Sequence, residues 1–492
     1  MTRRTTPTGR TTPIIGVRAT IGVGATIGVG AAVGLAAAIV SYADQHTARY
    51  AVGAFVAGAL AVAIAWFVTT LPGLTVRGLV IGGLFVLAGM LSWTSLRYGN
   101  WLVWPLLGVE GVVFAGWSWP WLRDLGVLPR LGTAWLGLAY WLLGIVGALL
   151  TLSLTVGAQR VAYAGVFGLA VLAVVAGTRR EGGRDLSVGI VGSFGLGIAL
   201  LALSGSGNLF AHRHAVPPGG WGTDVMVHRF WGGEWLLYHP NSIALIGVAA
   251  ALRIGADRAF AVWQRIAVTA LAGGVILVTN SRTGFVYLGA AGVVHAYLLW
   301  RRRGAGLPTY RRVWLAAAAP FAVLALVLVL SRGSGFLFQS RYGGNDVTSG
   351  RVDTWKQVGR EWADGNVAQK LFGDTATSRA VVDRNGLKLT TDNAAVGALR
   401  RGGVLGELAF LFGLGLLLWR AWRGPAWLAV AAFGSVATIP TADWLLGGTG
   451  GTLWILLVAG EAWLVLALGR QGSGDATALP VGGTSRTEPS SA

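Results

Sequence analysis

Apolar runs of about 20 residues recur along almost the whole chain, at roughly 19–40, 50–70, 77–97, 101–119, 133–156, 159–177, 186–204, 236–254, 261–279, 283–300, 313–330, 402–419, 425–442 and 450–468. Each is near the ~20 residues that a helix needs to cross a hydrocarbon core. The pattern predicts an all-α, polytopic helical membrane protein with about 12–14 transmembrane helices. The runs at 101–119 and 236–254 carry enough Trp, Pro or His to be interfacial or re-entrant instead. Two longer polar intervals break the series, at about 205–235 and 331–401, and the second is the longest stretch without a membrane-compatible segment.

These boundaries divide the chain into an N-terminal tail (1–18), an N-terminal transmembrane bundle with the loop 205–235 (19–235), a second transmembrane region holding the loop 331–401 (236–470), and a C-terminal tail (471–492). The first run is too long for a signal-peptide core and reads as an uncleaved span. It repeats Ala-Thr-Ile-Gly-Val-Gly at 19–24 and 25–30, either as a small-residue packing face or as a local duplication. The last segment is Gly, Ser, Thr and Pro with little apolar content, and is expected to be disordered.

Charge sets the orientation. With the N-terminus inside, the short inner loops hold Arg77, Arg123, Arg130, Arg179, Arg180, Arg184, Arg253, Arg258, Arg301, Arg302, Arg303, Arg311, Arg312, Arg420 and Arg423, and the short outer loops only Arg49, Arg97, Arg160 and Arg282. The positive-inside rule then puts both tails in the cytoplasm and both long loops on the extracytoplasmic side. The net charge of +19 is topological in this setting, and nucleic-acid binding is not expected. Composition agrees with the class: 54% hydrophobic, 12% charged, mean hydropathy +0.62. The absence of Cys excludes thiolate catalysis, and the six His form no zinc pattern, so neither metal nor cofactor is expected.

Several polar groups stand where spans meet the outer side. Arg282, in Thr279-Asn280-Ser281-Arg282-Thr283-Gly284, lies at a tight turn between two spans and suits either bidentate phosphate binding or snorkelling. Arg351 follows a candidate N-cap, Ser349, and opens a helix with Val352, Trp355, Val358 and Trp362 on one stripe. A helix start with an Arg is an anion site, although a structural amphipathic helix gives the same stripe. Residues 379–391 read as a hairpin turning at Asn385-Gly386, which delivers Asp392 and Asn393 to the next span as a base or as a helix cap. His239-Pro240-Asn241 opens a span, with His239 either lining a polar cavity or simply flanking a helix start. Arg400 and Arg401 suit phosphate or the interface. Glu110, Glu407 and Glu461 fall in or near apolar runs, where a lone acid argues for a transporter.

The order of these pieces over about 236–420 resembles the bacterial O-antigen ligase and O-antigen or capsule polymerase superfamily. The resemblance runs through His239-Pro240-Asn241, Ser281-Arg282-Thr283-Gly284, Ser349-Gly350-Arg351 to Trp355, Gly373, and Asn393 followed by Gly402-Gly403 and Gly406. It implies a metal-independent, inverting glycosyl transfer from an undecaprenyl-diphosphate-linked glycan to a lipid-linked or envelope-attached acceptor. By that likeness Arg282 and Arg351 clamp the diphosphate and Asp392 is the base, with His239, Asn393, Arg400, Arg401 and Trp355 as further substrate contacts. Ligases carry His where this chain has Asp392, and the Arg-rich, Gly- and Ala-rich usage of a GC-rich genome leans the expectation towards polymerisation or transfer of a surface polysaccharide. A lipid-linked oligosaccharide flippase or transporter, or a non-catalytic partner in polysaccharide assembly, are the competing readings.

Overall fold

The computed structural model describes residues 62–63, 66–84, 103–140, 142–150, 154–181, 184–203, 240–256, 259–279, 281–302, 351–373, 380–382, 388–390, 393–441 and 457–466. The expected spans at 19–40 and 313–330, the loop 205–235 and both expected tails lie outside the described residues. What is described is overwhelmingly helical. Helix α1 (Val103–Ser118) runs into a 3-10 segment (Trp119–Arg130). Pro120 and Pro129 within that segment remove donors, and the chain does not continue as an α-helix there. Then come α2 (Gly132–Tyr140), α3 (Leu142–Leu150), α4 (Leu154–Glu181), α5 (Arg184–Leu203), α6 (Pro240–Ala256), α7 (Val262–Thr279) and α8 (Arg282–Arg302). The polar loop contributes α9 (Arg351–Asp364), α10 (Val367–Phe372) and a two-stranded hairpin of β1 (Ala380–Val382) and β2 (Lys388–Thr390). Helices α11 (Ala394–Arg423) and α12 (Ala426–Val436) follow, and residues 457–466 form a last helix.

Three stretches among the described residues are long and apolar enough to cross a membrane: Gly132–Leu150, Arg160–Thr178 and Ala394–Arg423. Ile243–Gly255, Val262–Ile276, Ala426–Val436 and Leu457–Leu466 are apolar helices of shorter length. The molecule is therefore a helical protein with membrane-compatible spans, as the hydropathy pattern predicts.

Glycines set a close approach between α2 and α11. A Cβ at Gly132 would meet the Gly413 carbonyl, and one at Gly413 would lie 2.6 Å from the Gly132 carbonyl oxygen. Further along, Gly402 and Gly406 face the carbonyl of Ala139. Small residues let two backbones touch in this way where no hydrophobic force separates protein from lipid.

At one end of this seam lies a carboxylate. Glu461 is fully buried and accepts from the backbone N–H groups of Gly132 (2.7 Å) and Thr133 (2.9 Å), the Thr133 hydroxyl (2.8 Å) and Arg420 Nη1 (2.7 Å). It satisfies two of the orphan donors at the start of α2 while pairing with an arginine of α11. This acid is a clasp between three helices, which accounts for it without a transport role.

The structure moves three arginines relative to the hydropathy reading. Of the span expected at 133–156, the described helices α2 and α3 reach Leu150, and α4 starts at Leu154, before the expected 159. Arg160 is therefore buried inside a helix and is not a loop residue. Helix α11 begins at Ala394, eight residues before the apolar run at 402, so Arg400 and Arg401 lie in a helix and are buried. The two readings meet at Gly403, whose φ of 63° breaks α11 into a short first half that ends in Arg400 and Arg401 and a long apolar second half. Only the second half carries the hydropathy of a span, which is why the pattern missed the first.

Candidate functional site

Helix α8 starts at a tight turn because Ser281 caps it: its Oγ accepts from Gly284 N–H (3.1 Å), and its carbonyl accepts from Phe285 N–H (3.1 Å). The same hydroxyl donates to Asn241 Oδ1 (2.9 Å), two residues into α6, so the starts of α6 and α8 are bolted together. Ser281, Asn241 and Thr283 are all buried. Arg282 projects from this corner, half-buried, immediately before the apolar run of α8.

Arg351 opens α9, as the sequence predicts, 69 positions further along the chain. Helix α9 is fixed by burial of Thr354 and Val358 and by Trp362, whose Nε1–H donates to the Lys370 carbonyl of α10 (3.1 Å). The buried line runs through Thr354 and Val358, while Trp355 and Trp362 of the predicted stripe are half-buried. The placement brings Arg351 within electrostatic reach of Arg282. Burial first, and the Arg351 charge second, hold the Arg282 pKa below the usual arginine value. The Arg351 charge thus bears on the Arg282 guanidinium, and a planar guanidinium is suited to bidentate contact with an anion.

The third corner is the start of α11. Asn393 is its N-cap, with Oδ1 accepting from Ala395 N–H (3.0 Å) and Val396 N–H (3.1 Å). The cap position is thus filled by Asn393, one residue after Asp392. Asn393 Oδ1 is committed to the helix, which leaves its amide nitrogen as the part able to meet a substrate. The Ala394 N–H donates to the Ile439 carbonyl just beyond α12 (2.9 Å), and Thr283 Oγ1 donates to the Thr441 carbonyl (3.3 Å). Tyr287, one turn into α8, donates to the Ala431 carbonyl of α12 (2.9 Å). Asn241, Ser281, Arg282, Thr283 and Asn393 therefore converge on one end of the bundle, at which Arg351 acts through its charge. Asp392 and His239 lie outside the described residues.

Arg400 and Arg401 sit at the other end of the short first half of α11, against the break at Gly403. A Cβ at Gly373 would strike the Arg401 carbonyl, and one at Gly403 would strike the Leu371 carbonyl and lie 2.6 Å from Gly373 N. Both glycines have positive φ, 86° and 63°. The end of α10 is thereby keyed into the break, and α10 in turn packs on α3. Arg160, counted in the sequence only as loop charge, brings its guanidinium to Gly144, whose Cβ position is 2.5 Å from Arg160 Nη1 and 3.2 Å from the Arg401 carbonyl. The interval 331–401 holds eleven cations against seven acids, and with Arg400 and Arg401 inside α11 the loop before it keeps nine against seven.

Two acids belong to no clasp. Glu110 is buried in α1, and its Oε1 has no hydrogen-bond partner among the described residues. The same is true of Oε2 of half-buried Glu407, one turn past the break in α11. No group of three or more His, Asp or Glu able to hold a metal occurs among the described residues. No protein-family model, curated protein or solved structure matches the chain.

Proposed function

We propose that this chain is a membrane glycosyltransferase that transfers or polymerises undecaprenyl-diphosphate-linked glycan units, on the side of the membrane where the polar loop lies. The observation that carries the reading is that Arg351 acts electrostatically on Arg282, which stands at the corner where Asn241 and Ser281 are hydrogen-bonded, on the same end of the bundle as the Asn393 cap. These are the positions through which the sequence resembles the O-antigen ligase and polymerase superfamily, and they come from four segments far apart in the chain. In the reaction the paired guanidiniums take the negative charge that grows on the diphosphate as the glycosidic bond breaks. Asp392, next to the cap of α11, takes the proton of the acceptor hydroxyl, whose oxygen attacks the anomeric carbon from the face opposite the leaving diphosphate. The acceptor gains the glycan, and undecaprenyl diphosphate leaves.

The test is the length distribution of surface polysaccharide in cells carrying Arg351→Ala at unchanged protein level. Loss of long chains with accumulation of single-repeat lipid intermediates supports polymerase chemistry; long chains stranded on the lipid carrier support a ligase. An unchanged profile removes Arg351 from the site and ends this reading.

A transporter of lipid-linked oligosaccharide is the second reading, and a specific feature favours it. Helix α11 is discontinuous at Gly403, and Glu110 and Glu407 sit in apolar helices, each with one carboxylate oxygen that has no hydrogen-bond partner among the described residues. Broken helices with intramembrane acids are the usual furniture of transport sites. Under this reading Glu110→Gln and Glu407→Gln abolish export, while Arg351→Ala leaves glycan length unchanged. Under the transferase reading the outcomes are reversed.

A further inference from the structure

We propose that the turn Ile439-Pro440-Thr441 fixes the separation between the diphosphate-binding and base-bearing halves of the site, with Thr283 as a positioning residue. The inference rests on the glycosyl-transfer reading above and adds to it an element that touches no substrate.

Helix α12 ends at Val436 in a tightened ladder. The hydroxyls of Ser435, Thr438 and Thr441 each donate to the carbonyl three residues back, at 2.7, 2.7 and 3.2 Å. The backbone repeats the pattern, with Thr438 N–H to Ser435 O (2.9 Å), Ile439 N–H to Val436 O (3.1 Å) and Thr441 N–H to Thr438 O (3.0 Å). Hydroxyls that bond back to the local chain compete with the regular ladder and bend it. In this stretch they leave two carbonyls, those of Ile439 and Thr441, for partners on other helices.

Each partner stands beside a residue of the site. The Ile439 carbonyl takes the N–H of Ala394, the residue after the Asn393 cap and two after Asp392. The Thr441 carbonyl takes the hydroxyl of Thr283, the residue after Arg282. Between the two carbonyls is Pro440, which has no N–H to divert and holds its own φ near −65°. The leaving-group arginine and the base-bearing corner are thus docked on acceptors two residues apart in one short turn. Thr283 is only 1% exposed and uncharged, so it neither meets the diphosphate nor titrates. Its role is geometric. Inverting displacement needs base, acceptor and leaving group in line, and an error near 1 Å can cost about 100-fold in rate.

The experiment uses the full chain and two readouts: polysaccharide output per protein in cells, and binding of undecaprenyl diphosphate to the detergent-purified protein. Thr283→Val keeps the shape and removes the hydroxyl; it lowers output about tenfold while binding stays within about twofold of the parent. Thr283→Ser restores most of the output. Unchanged output in Thr283→Val, or output and binding falling together without rescue by Ser, overturns the positioning role. Arg282→Ala is run beside them and loses binding. If Arg282→Ala retains both binding and output, the transfer reading itself fails, and the positioning role goes with it.

Discussion

Replacing Glu461 should be among the most damaging single changes in this protein, and the structure lets the damage be ranked. Its carboxylate is fully buried and takes four hydrogen bonds: two from the first N–H groups of α2, one from the Thr133 hydroxyl, one from Arg420. Glu461→Ala leaves two helix-terminal donors without an acceptor and strands a guanidinium whose side chain is only 14% exposed. Breaking a buried pair in this way costs about 3–5 kcal/mol. Arg420→Ala leaves the carboxylate its three remaining donors and should cost less. Thr133→Ala removes one neutral hydrogen bond, worth about 1 kcal/mol. Glu461→Gln is also poor, since three of the four partners can only donate and the amide NH2 finds at most the Thr133 oxygen to accept it. Thermal melts of the detergent-purified chain followed by gel filtration order the variants. Glu461→Ala should lower the melting temperature on the order of 5 °C, with Arg420→Ala and Thr133→Ala behind it. If Arg420→Ala matched Glu461→Ala, or Glu461→Gln melted like the parent, the clasp would not work through the carboxylate as described.

Other outcomes follow from the site end. Inorganic diphosphate at about 100 times its dissociation constant should stabilise the parent by about 2.7 kcal/mol in the same melts, and Arg282→Ala or Arg351→Ala should abolish the gain. Gly403→Ala puts a side chain at φ 63° and against the Leu371 carbonyl; about 1–2 kcal/mol of backbone strain is added and α10 is displaced, read as faster proteolytic nicking of the polar loop. Asn393→Ala removes the cap of α11 at a cost of about 1 kcal/mol, whereas Asn393→Asp keeps an acceptor there and should melt close to the parent.

Local chemistry was legible and distant chemistry was not. The Asn385-Gly386 signal gave the hairpin, whose strands pair Ala380 with Thr390 and Val382 with Lys388. Pro240 marked a helix start, and the turn over 279–284 the start of the next span, both of which the structure keeps. The break in α11 was hidden because Gly402-Gly403 reads as small residues at the head of an apolar run, and only the backbone of α10 lying across Gly403 explains the positive φ. Arg160, Arg400 and Arg401 were assigned to loops because hydropathy averages over a window, and a helix with polar residues in its first turns falls below threshold. Glu461 looked like a transport acid because its donors lie in segments hundreds of residues away or across another helix. No periodicity could have named Thr283, since its partner is a carbonyl.

The clasp also constrains how the protein is made. Gly132 leaves the ribosome 329 residues before the carboxylate that accepts its N–H. At elongation rates of about 5–20 residues per second, the start of α2 spends roughly 15–65 s without its cap. During that interval its first donors have no final partner, and once α11 has been made the two helices pack as provisional neighbours. Synthesis of the last helix locks them, and a chain halted before residue 461 should be recognised and degraded as an unfinished product.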